Sequence, residues 1–530
     1  MNLLPVGVVC AAAASSVPAG LRWLRVAQRE HYESRSCGRF AVRWWLSTTP
    51  GNRVLSAIGV GGVLGSALWP PAALATAAVV AAGPIGLGLA GRTKPLAWTR
   101  RLRVLAGIWA AEQVVWFSLA AWAGTVLAPV GAIAGAVGAI GVPLLMDLAL
   151  GLSSPIESKA AAGWVDKAAA KLKRLSPQVV GITGSYGKTT TKGYVAHLCA
   201  KKYSVLASPA SFNNALGLAR TVNEHLLGGT ELLVAEMGAY RRGEIAALCE
   251  WMRPTIGVVT ALGPVHLERF GSEEATAQAK SELPNSAEVA VVSQSHPALV
   301  KMTESLEATG KRVWRCSDRP DPSASVIAMR SGDRLLIEAR PPVGAPHHQE
   351  VFKADLECPS GAPSNIACAV ATALELGVDW DQIVSLIPTL PTAAHRLERQ
   401  VSPAGVVVLD DTYNSNPAGA RLALAALSES GSPDGRKVLV TPGMVELGPR
   451  QAAENEALGR YAAGVATHLV IVGLTNKRAL AQGARRATEE GAKMEVILVS
   501  SRPKAVEWVR EHLGEGDAVL YENDLPDHFP

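Results

Sequence analysis

Apolar positions follow two different patterns along this chain. Before residue 153 they form long, nearly uncharged runs at 3–21, 54–70, 72–91, 104–126 and 128–150. A helix needs about 20 such residues to cross a bilayer, so the pattern predicts about five spans in a transmembrane region covering 1–153. Pro70-Pro71 and Ala128-Pro129 break successive runs as tight turns. Runs with so few polar positions have no polar face to present in a soluble bundle. The first run has no basic stretch ahead of it, which argues against a cleaved signal peptide.

From about residue 175 the apolar runs shorten. Leu232-Leu233-Val234-Ala235, Ile256-Gly257-Val258-Val259-Thr260, Val289-Ala290-Val291-Val292, Val406-Val407-Val408-Leu409, Lys437-Val438-Leu439-Val440 and Leu469-Val470-Ile471-Val472 read as strands. Amphipathic stretches at 274–282, 363–376, 418–429, 451–465, 476–490 and 503–513 alternate with them. That alternation predicts doubly wound α/β domains, with antiparallel hairpins around 322–358. The expected fold class is therefore a membrane α-helical N-terminal region followed by α/β.

Composition sharpens the division. Apolar residues make up 48% and charged residues 18%, with the apolar excess almost wholly before residue 153. The net charge is +5, and much of the basic excess flanks the apolar runs: Arg22, Arg25, Arg29, Arg35, Arg39, Arg43 and Arg53, then Arg92, Lys94, Arg100, Arg101 and Arg103. This is a topology signal, not a nucleic-acid footprint. It places 22–53, 92–103 and everything after the fifth run in the cytoplasm. The expectation is a multi-pass protein of the inner (cytoplasmic) membrane, with the lipid bilayer as partner. Seven scattered cysteines without metal-like spacing fit a reducing compartment. Glu112 and Gln113 fall inside the fourth run. An ionisable residue there is a functional candidate by default, with helix contact the competing role.

The chemistry centres on Thr183-Gly184-Ser185-Tyr186-Gly187-Lys188-Thr189-Thr190, between a short strand and a helix. A glycine-rich turn there lets backbone N–H groups wrap a phosphate at the helix N-terminus. Lys188 would reach the terminal phosphates of ATP and the Thr189 hydroxyl would sit on Mg²⁺. The generic pattern has a glycine where this chain has Ile182, so the match is to a shorter variant. Glu236 and His266 follow strands and Lys280 lies on a helix; each taken alone has a plain structural reading.

Taken together, these blocks resemble the Mur ligases, most closely the MurF type, over about residues 175–520. The resemblance rests on the loop and on Ser211-Phe212-Asn213-Asn214-Ala215-Leu216-Gly217, Glu236-Met237-Gly238-Ala239, Gly263-Pro264-Val265-His266-Leu267-Glu268, Ala279-Lys280-Ser281-Glu282, Asp410-Asp411-Thr412-Tyr413-Asn414-Ser415-Asn416-Pro417 and Gly443-Met444-Val445-Glu446-Leu447-Gly448. It implies a P-loop central ATP-binding domain over 175–394 and a Rossmann-like C-terminal domain over 395–530. Gly184, Ser185, Gly187, Lys188, Thr189 and Thr190 would then cradle ATP. Thr189 and Glu236 would ligate one Mg²⁺. His266 would hold a second with help from Lys280, which the family carries as a carbamate. Asn365 would lie on the adenine side, and Arg396 and Asp411 would meet the γ-phosphate and ribose. The implied catalytic residues are Lys188, His266 and Lys280. The implied reaction makes an amide from a carboxylate substrate and an amine or amino-acid acceptor through an acyl phosphate.

Two departures bear on the substrates. Membrane segments stand where MurF enzymes have a uridine-nucleotide domain. The family's Lys-Gly-Ser stretch is replaced after Leu520 by Tyr521-Glu522-Asn523-Asp524. A substrate presented at the membrane is one expectation, the basic and aromatic loop 22–53 (His31, Tyr32, Trp44, Trp45) offering contacts at lipid headgroups. The alternatives are a true MurF substitute in peptidoglycan synthesis, or an ATP-driven transporter or sensor. The last lacks the buried charges or paired broken helices of a transport path.

Overall fold

The computed structural model describes all residues except 1–3, 48–49, 90–95, 264–269, 333, 358–361, 393–394, 526–528 and 530. The chain divides into two compact units: 1–160 with 473–475 and 525–530, and 161–472 with 476–524.

The first unit is helical. It contains α1 (Leu4–Arg29), α2 (Ser36–Val42), α3 (Pro50–Gly65), α4 (Ala73–Ala82), α5 (Arg100–Val126), α6 (Ala128–Ile140) and the start of α7 (Val142–Leu175). Among the described residues, α1 and α5 are long and apolar enough to cross a membrane, and the α6–α7 pair, bent by 67°, is a third candidate. The runs at 54–70 and 72–91, expected as two of about five spans, contain helices of 16 and 10 residues among the described residues. α4 stops at Gly83-Pro84, where glycine leaves the helical conformation and proline has no N–H to continue it. Its C-terminal carbonyls are taken by the Arg22 guanidinium, which donates to Ala81 O at 2.8 Å, Gly83 O at 2.9 Å and Val80 O at 3.3 Å. A cation on the negative end of a helix, supplying donors for orphan carbonyls, is a strong stop.

Other polar side chains in this unit also bond to the main chain. Arg25 Nη1 donates to Gly88 O at 2.5 Å. Asn52 pairs with the backbone of Ile85 in both directions. Asp147 accepts from Cys37 N at 3.0 Å and Gly38 N at 2.8 Å. Arg22, Arg25 and Arg29 therefore lie on α1, not in the basic loop where the hydropathy pattern put them. The loop aromatics are likewise used in packing. Trp44 is buried, and Tyr32 lies 4.2 Å beneath the Arg101 guanidinium. Small residues let the helices close: a Cβ on Gly131 would come within 2.3 Å of Gly124 Cα. In the middle of α5, polar atoms of Trp109, Glu112 and Gln113 are buried without hydrogen-bond partners.

The second unit is α/β. A nine-stranded sheet has the order β2-β3-β1-β4-β5-β6-β7-β8-β9. Its strands are β1 (Gln178–Thr183), β2 (Val205–Ala207), β3 (Leu232–Glu236), β4 (Ile256–Val259), β5 (Val289–Ser293), β6 (Arg312–Ser317), β7 (Val326–Ser331), β8 (Arg334–Ala339) and β9 (Phe352–Glu357). The first seven strands in that order pair in parallel, and β7–β8–β9 form the antiparallel extension expected near 322–358. Helices α8 (Lys188–Cys199), α9 (Ala215–Arg220), α10 (Glu244–Met252), α11 (Glu273–Ser286), α12 (Pro297–Ala308) and α13 (Pro363–Glu375) accompany it. β1 is buried at every position after its first, as a central parallel strand should be.

A six-stranded sheet follows in the order β10-β11-β15-β12-β13-β14. It comprises β10 (Glu398–Val401), β11 (Val407–Asp411), β12 (Lys437–Thr441), β13 (His468–Val472), β14 (Glu495–Val499) and β15 (Ala518–Glu522). Only β10 is antiparallel. In such sheets the carboxyl ends of the strands are where ligands bind.

Candidate functional site

The loop between β1 and α8 is shaped by two glycines that no other residue could replace without strain. Gly184 has φ +147° and Gly187 φ +77°. A Cβ at Gly184 would come within 2.2 Å of Thr260 Oγ1, and one at Gly187 within 2.3 Å of Asn365 Oδ1. Ser185 N donates to Ala261 O at 2.7 Å and Thr260 N to Thr183 O at 3.0 Å, fixing the loop to the end of β4. The first turn of α8 thus presents free N–H groups and a partial positive charge to an anion.

Lys188 opens α8, and its Nζ donates to Gly184 O at 2.8 Å and Ser185 O at 3.3 Å, curled over the loop. Burial lowers its pKa, the charge of Glu236 opposes that, and Arg396 adds to it. Thr189 Oγ1 donates to Glu236 Oε2 at 2.8 Å. Glu236 ends β3 and is buried, yet three more groups serve it. Asn213 Nδ2 donates to Oε1 at 3.1 Å, Lys192 Nζ lies 3.4 Å from Oε2, and the backbone N donates to Ser208 Oγ. Thr189 and Glu236 present a hydroxyl and a carboxylate to one point, the hard oxygen donors that Mg²⁺ requires. The set fits that ion, with Lys192 Nζ on the same carboxylate oxygen as Thr189.

Lys280 lies on α11 and is only 3% exposed. Burial, reinforced by the charge of Lys188, lowers its pKa from the ordinary 10.5 to about 7, with Glu244 and Glu282 opposing. A lysine amine that is half neutral at physiological pH is nucleophilic toward CO₂. Its Nζ is 5.7 Å from the centre of the Phe270 ring. Glu282, two residues on, accepts from Gly243 N and Ala246 N, so it caps α10.

From the C-terminal sheet, the Arg396 guanidinium lies 4.2 Å over the Tyr413 ring, and Tyr413 Oη bonds Ser211 Oγ of the central part. Asp411 ends β11 and accepts from Leu397 N at 3.1 Å. Arg396 acts electrostatically on Lys188 as well as on Asp411. Asn365 sits against Gly187, next to the phosphate loop itself. The expected metal ligand His266 lies outside the described residues. Sequence reasoning missed Lys192 and Asn213. Lys192 is one helical turn beyond Lys188, an i,i+4 relation that could have signalled a shared face. It also missed the cluster of His395, Glu398 and Asp410, which internal bonds explain: His395 Nδ1 lies 2.7 Å from Asp410 Oδ2.

Comparison with known proteins agrees with this geometry. Residues 182–336 match the Mur ligase middle domain, and 395–521 match the Mur ligase glutamate ligase domain. A UDP-N-acetylmuramoyl-tripeptide–D-alanyl-D-alanine ligase of Mycobacterium leprae is 34% identical over 364 residues, which cover 64% of this chain and 70% of that protein. MurF of Acinetobacter baumannii superposes with a TM-score of 0.56 at 25% identity, covering 69% of this chain and 77% of that one. MurF of Thermotoga maritima, solved in complex with ADP, gives 0.55 at 26% identity, covering 69% and 80%.

Proposed function

Because this chain belongs to the Mur ligase family and is an ATP-dependent, amide-bond-forming ligase of MurF-like type, we propose that it joins a muropeptide-type carboxylate to an amino-acid or dipeptide amine in peptidoglycan synthesis, from the surface of a membrane. The observation that carries the chemistry is the Thr189–Glu236 contact at the foot of the Gly184–Lys188 loop.

In this reading the loop N–H groups and Lys188 hold the β- and γ-phosphates of ATP. A substrate carboxylate oxygen attacks the γ-phosphorus, the bond to the bridging oxygen breaks, and ADP leaves with that electron pair. The acceptor amine then attacks the acyl phosphate carbon, loses a proton, and expels inorganic phosphate as the amide forms. Mg²⁺ held by Thr189 and Glu236 would supply charge neutralisation on the phosphates. Arg396 approaches the same phosphates from the C-terminal sheet, and Asp411 meets the ribose. Lys280, as a carbamate, and His266 would hold a second Mg²⁺ and add to that neutralisation. No side-chain nucleophile is needed: positioning and electrostatics carry the rate. The test is phosphate release from ATP with UDP-muramoyl tripeptide and D-alanyl-D-alanine, and over a panel of carboxylates and amines. Release that depends on both co-substrates supports the ligase. Release indifferent to the amine refutes it.

The membrane part of the proposal is supported by α1 and α5 and by the apolar surface of the helical unit, where Leu68 is 93%, Val126 73% and Trp122 68% exposed. Such a surface is stable against lipid and a liability in water. The helical unit stands in place of a uridine-nucleotide domain, and the bilayer then presents the substrate. Expression of residues 155–530 alone tests this. Full activity of that fragment on the native substrate would leave the helical unit with no role beyond anchoring.

A further inference from the structure

Asp411 has a neighbour that the proposed reaction does not use. β11 and β15 pair in parallel with Asp411 in register with Glu522, so two carboxyl groups end adjacent strands side by side. Glu522 is completely buried. Its Oε1 accepts from Ser415 Oγ, just ahead of the helix that follows β11. Its Oε2 is buried with no donor. Asp411 is the group it faces, and the two carboxyls are within hydrogen-bonding reach. Two carboxylates cannot both stay charged at that separation inside a protein, so one proton between them is the stable state.

We propose that Glu522 is a positioning residue for the nucleotide, holding Asp411 toward the ribose through one proton shared between the two carboxyl groups. The inference rests on the reading of Asp411 as the ribose-side contact. Leu397 N takes Asp411 Oδ1, Glu522 takes the other side, and Ser415 fixes Glu522 in turn. Burial raises the pKa of both groups. The charges around them are Arg396, which favours ionisation, and Asp410, which opposes it and is itself bonded to His395. As pH rises and the shared proton leaves, two buried carboxylates repel, and Asp411 turns away from the ribose.

The test measures ADP binding to the full-length protein by calorimetry, with Mg²⁺, from neutral to alkaline pH. Wild type should bind ADP about tenfold more weakly at the alkaline end, the size of one lost charged hydrogen bond. In Glu522→Gln the amide donates permanently to Asp411 and still accepts from Ser415. It should bind within about twofold of wild type at neutral pH and show a flat pH profile. Glu522→Leu should bind ADP about tenfold more weakly and lose wild type's preference for ADP over 2′-deoxy-ADP. Thermal melting of each variant keeps a folding defect separate. A Glu522→Gln profile that falls as wild type does, or a folded Glu522→Leu with unchanged preference, overturns the inference. Asp411→Asn separates the two levels. If it binds ADP as wild type does, the reading of Asp411 has failed. If it weakens binding while the Glu522 variants do not, only the role of Glu522 has failed.

Discussion

Two sets of buried polar side chains, one in each unit, are put to opposite uses. In the α/β unit Glu236 is served by Thr189 and Lys192 from α8 and by Asn213 from the loop ahead of α9, side chains from two separate segments. In the helical unit Arg22, Arg25, Asn52 and Asp147 all bond to main-chain atoms. Side chains that converge on one another leave a charge distribution for a ligand to complete. Side chains spent on backbone groups end helices and pin turns, and leave nothing over. The comparison teaches that burial and charge alone do not mark a functional residue; what the group is bonded to does.

Lys188→Ala is the severest test of the contrast. It should reduce ATP turnover by at least ~10³-fold, because the amine acts on charge that develops in transfer, while thermal melting is unchanged. Near-normal ADP production would remove the distinction at its root. Lys280→Ala comes next, with a loss of about 10²-fold that short-chain carboxylic acids partly restore by entering the space the side chain leaves. This lysine also makes a stability prediction. Between its folded pKa of about 7 and the ordinary 10.5 the unfolded chain holds a proton that the folded chain lacks. Stability in CO₂-free buffer should therefore rise with pH across that window and fall as pH drops through about 7. Lys280→Met should abolish the slope, and an unchanged slope in chemical denaturation would contradict the burial argument.

On the helical side the effects are smaller and leave catalysis alone. Arg22→Met uncovers the carbonyls that end α4 and should cost roughly 2 kcal/mol in detergent unfolding, with ATP turnover intact. Gln113→Leu should act the other way. Both polar atoms of Gln113 are buried without partners, so an apolar residue of similar size should stabilise the unit by about 1 kcal/mol. Destabilisation by this change would mean that the group has a partner, and would bring α5 closer to the logic of the α/β unit.

Legibility in the sequence divided along the same line. The strand–loop–helix around Lys188 was readable because glycine spacing, a lysine and a threonine must fall in fixed order for a phosphate to fit. The position of Glu236 at the end of a strand was readable from the continuous apolar residues ahead of it, while its role on a metal came only with the resemblance to the Mur ligases. Lys192 was not, since a helical lysine looks the same whether it faces solvent or a buried carboxylate. In the helical region hydropathy gave the existence of the segments but not their lengths. Gly83-Pro84 marks the end of α4 locally, but nothing in residues 72–91 announces that a side chain 58 residues earlier will cover its last carbonyls. The pairing of Asp411 with Glu522 was hidden for the same reason, because sheet register joins two residues 111 positions apart, 522 less 411.

The Arg22 cap also sets an order of assembly. α4 has ten residues, fewer than the ~12–15 at which an isolated helix becomes even marginal in water. It cannot wait, fully formed, for its neighbours. The cation that completes it is made early in synthesis, on a helix long enough to stand by itself. α1 is then the template and α4 the dependent piece, so newly made chains should gain α4 only once α1 is in place. Loss of the first helix would leave a later one unwound, far along the chain from the deletion.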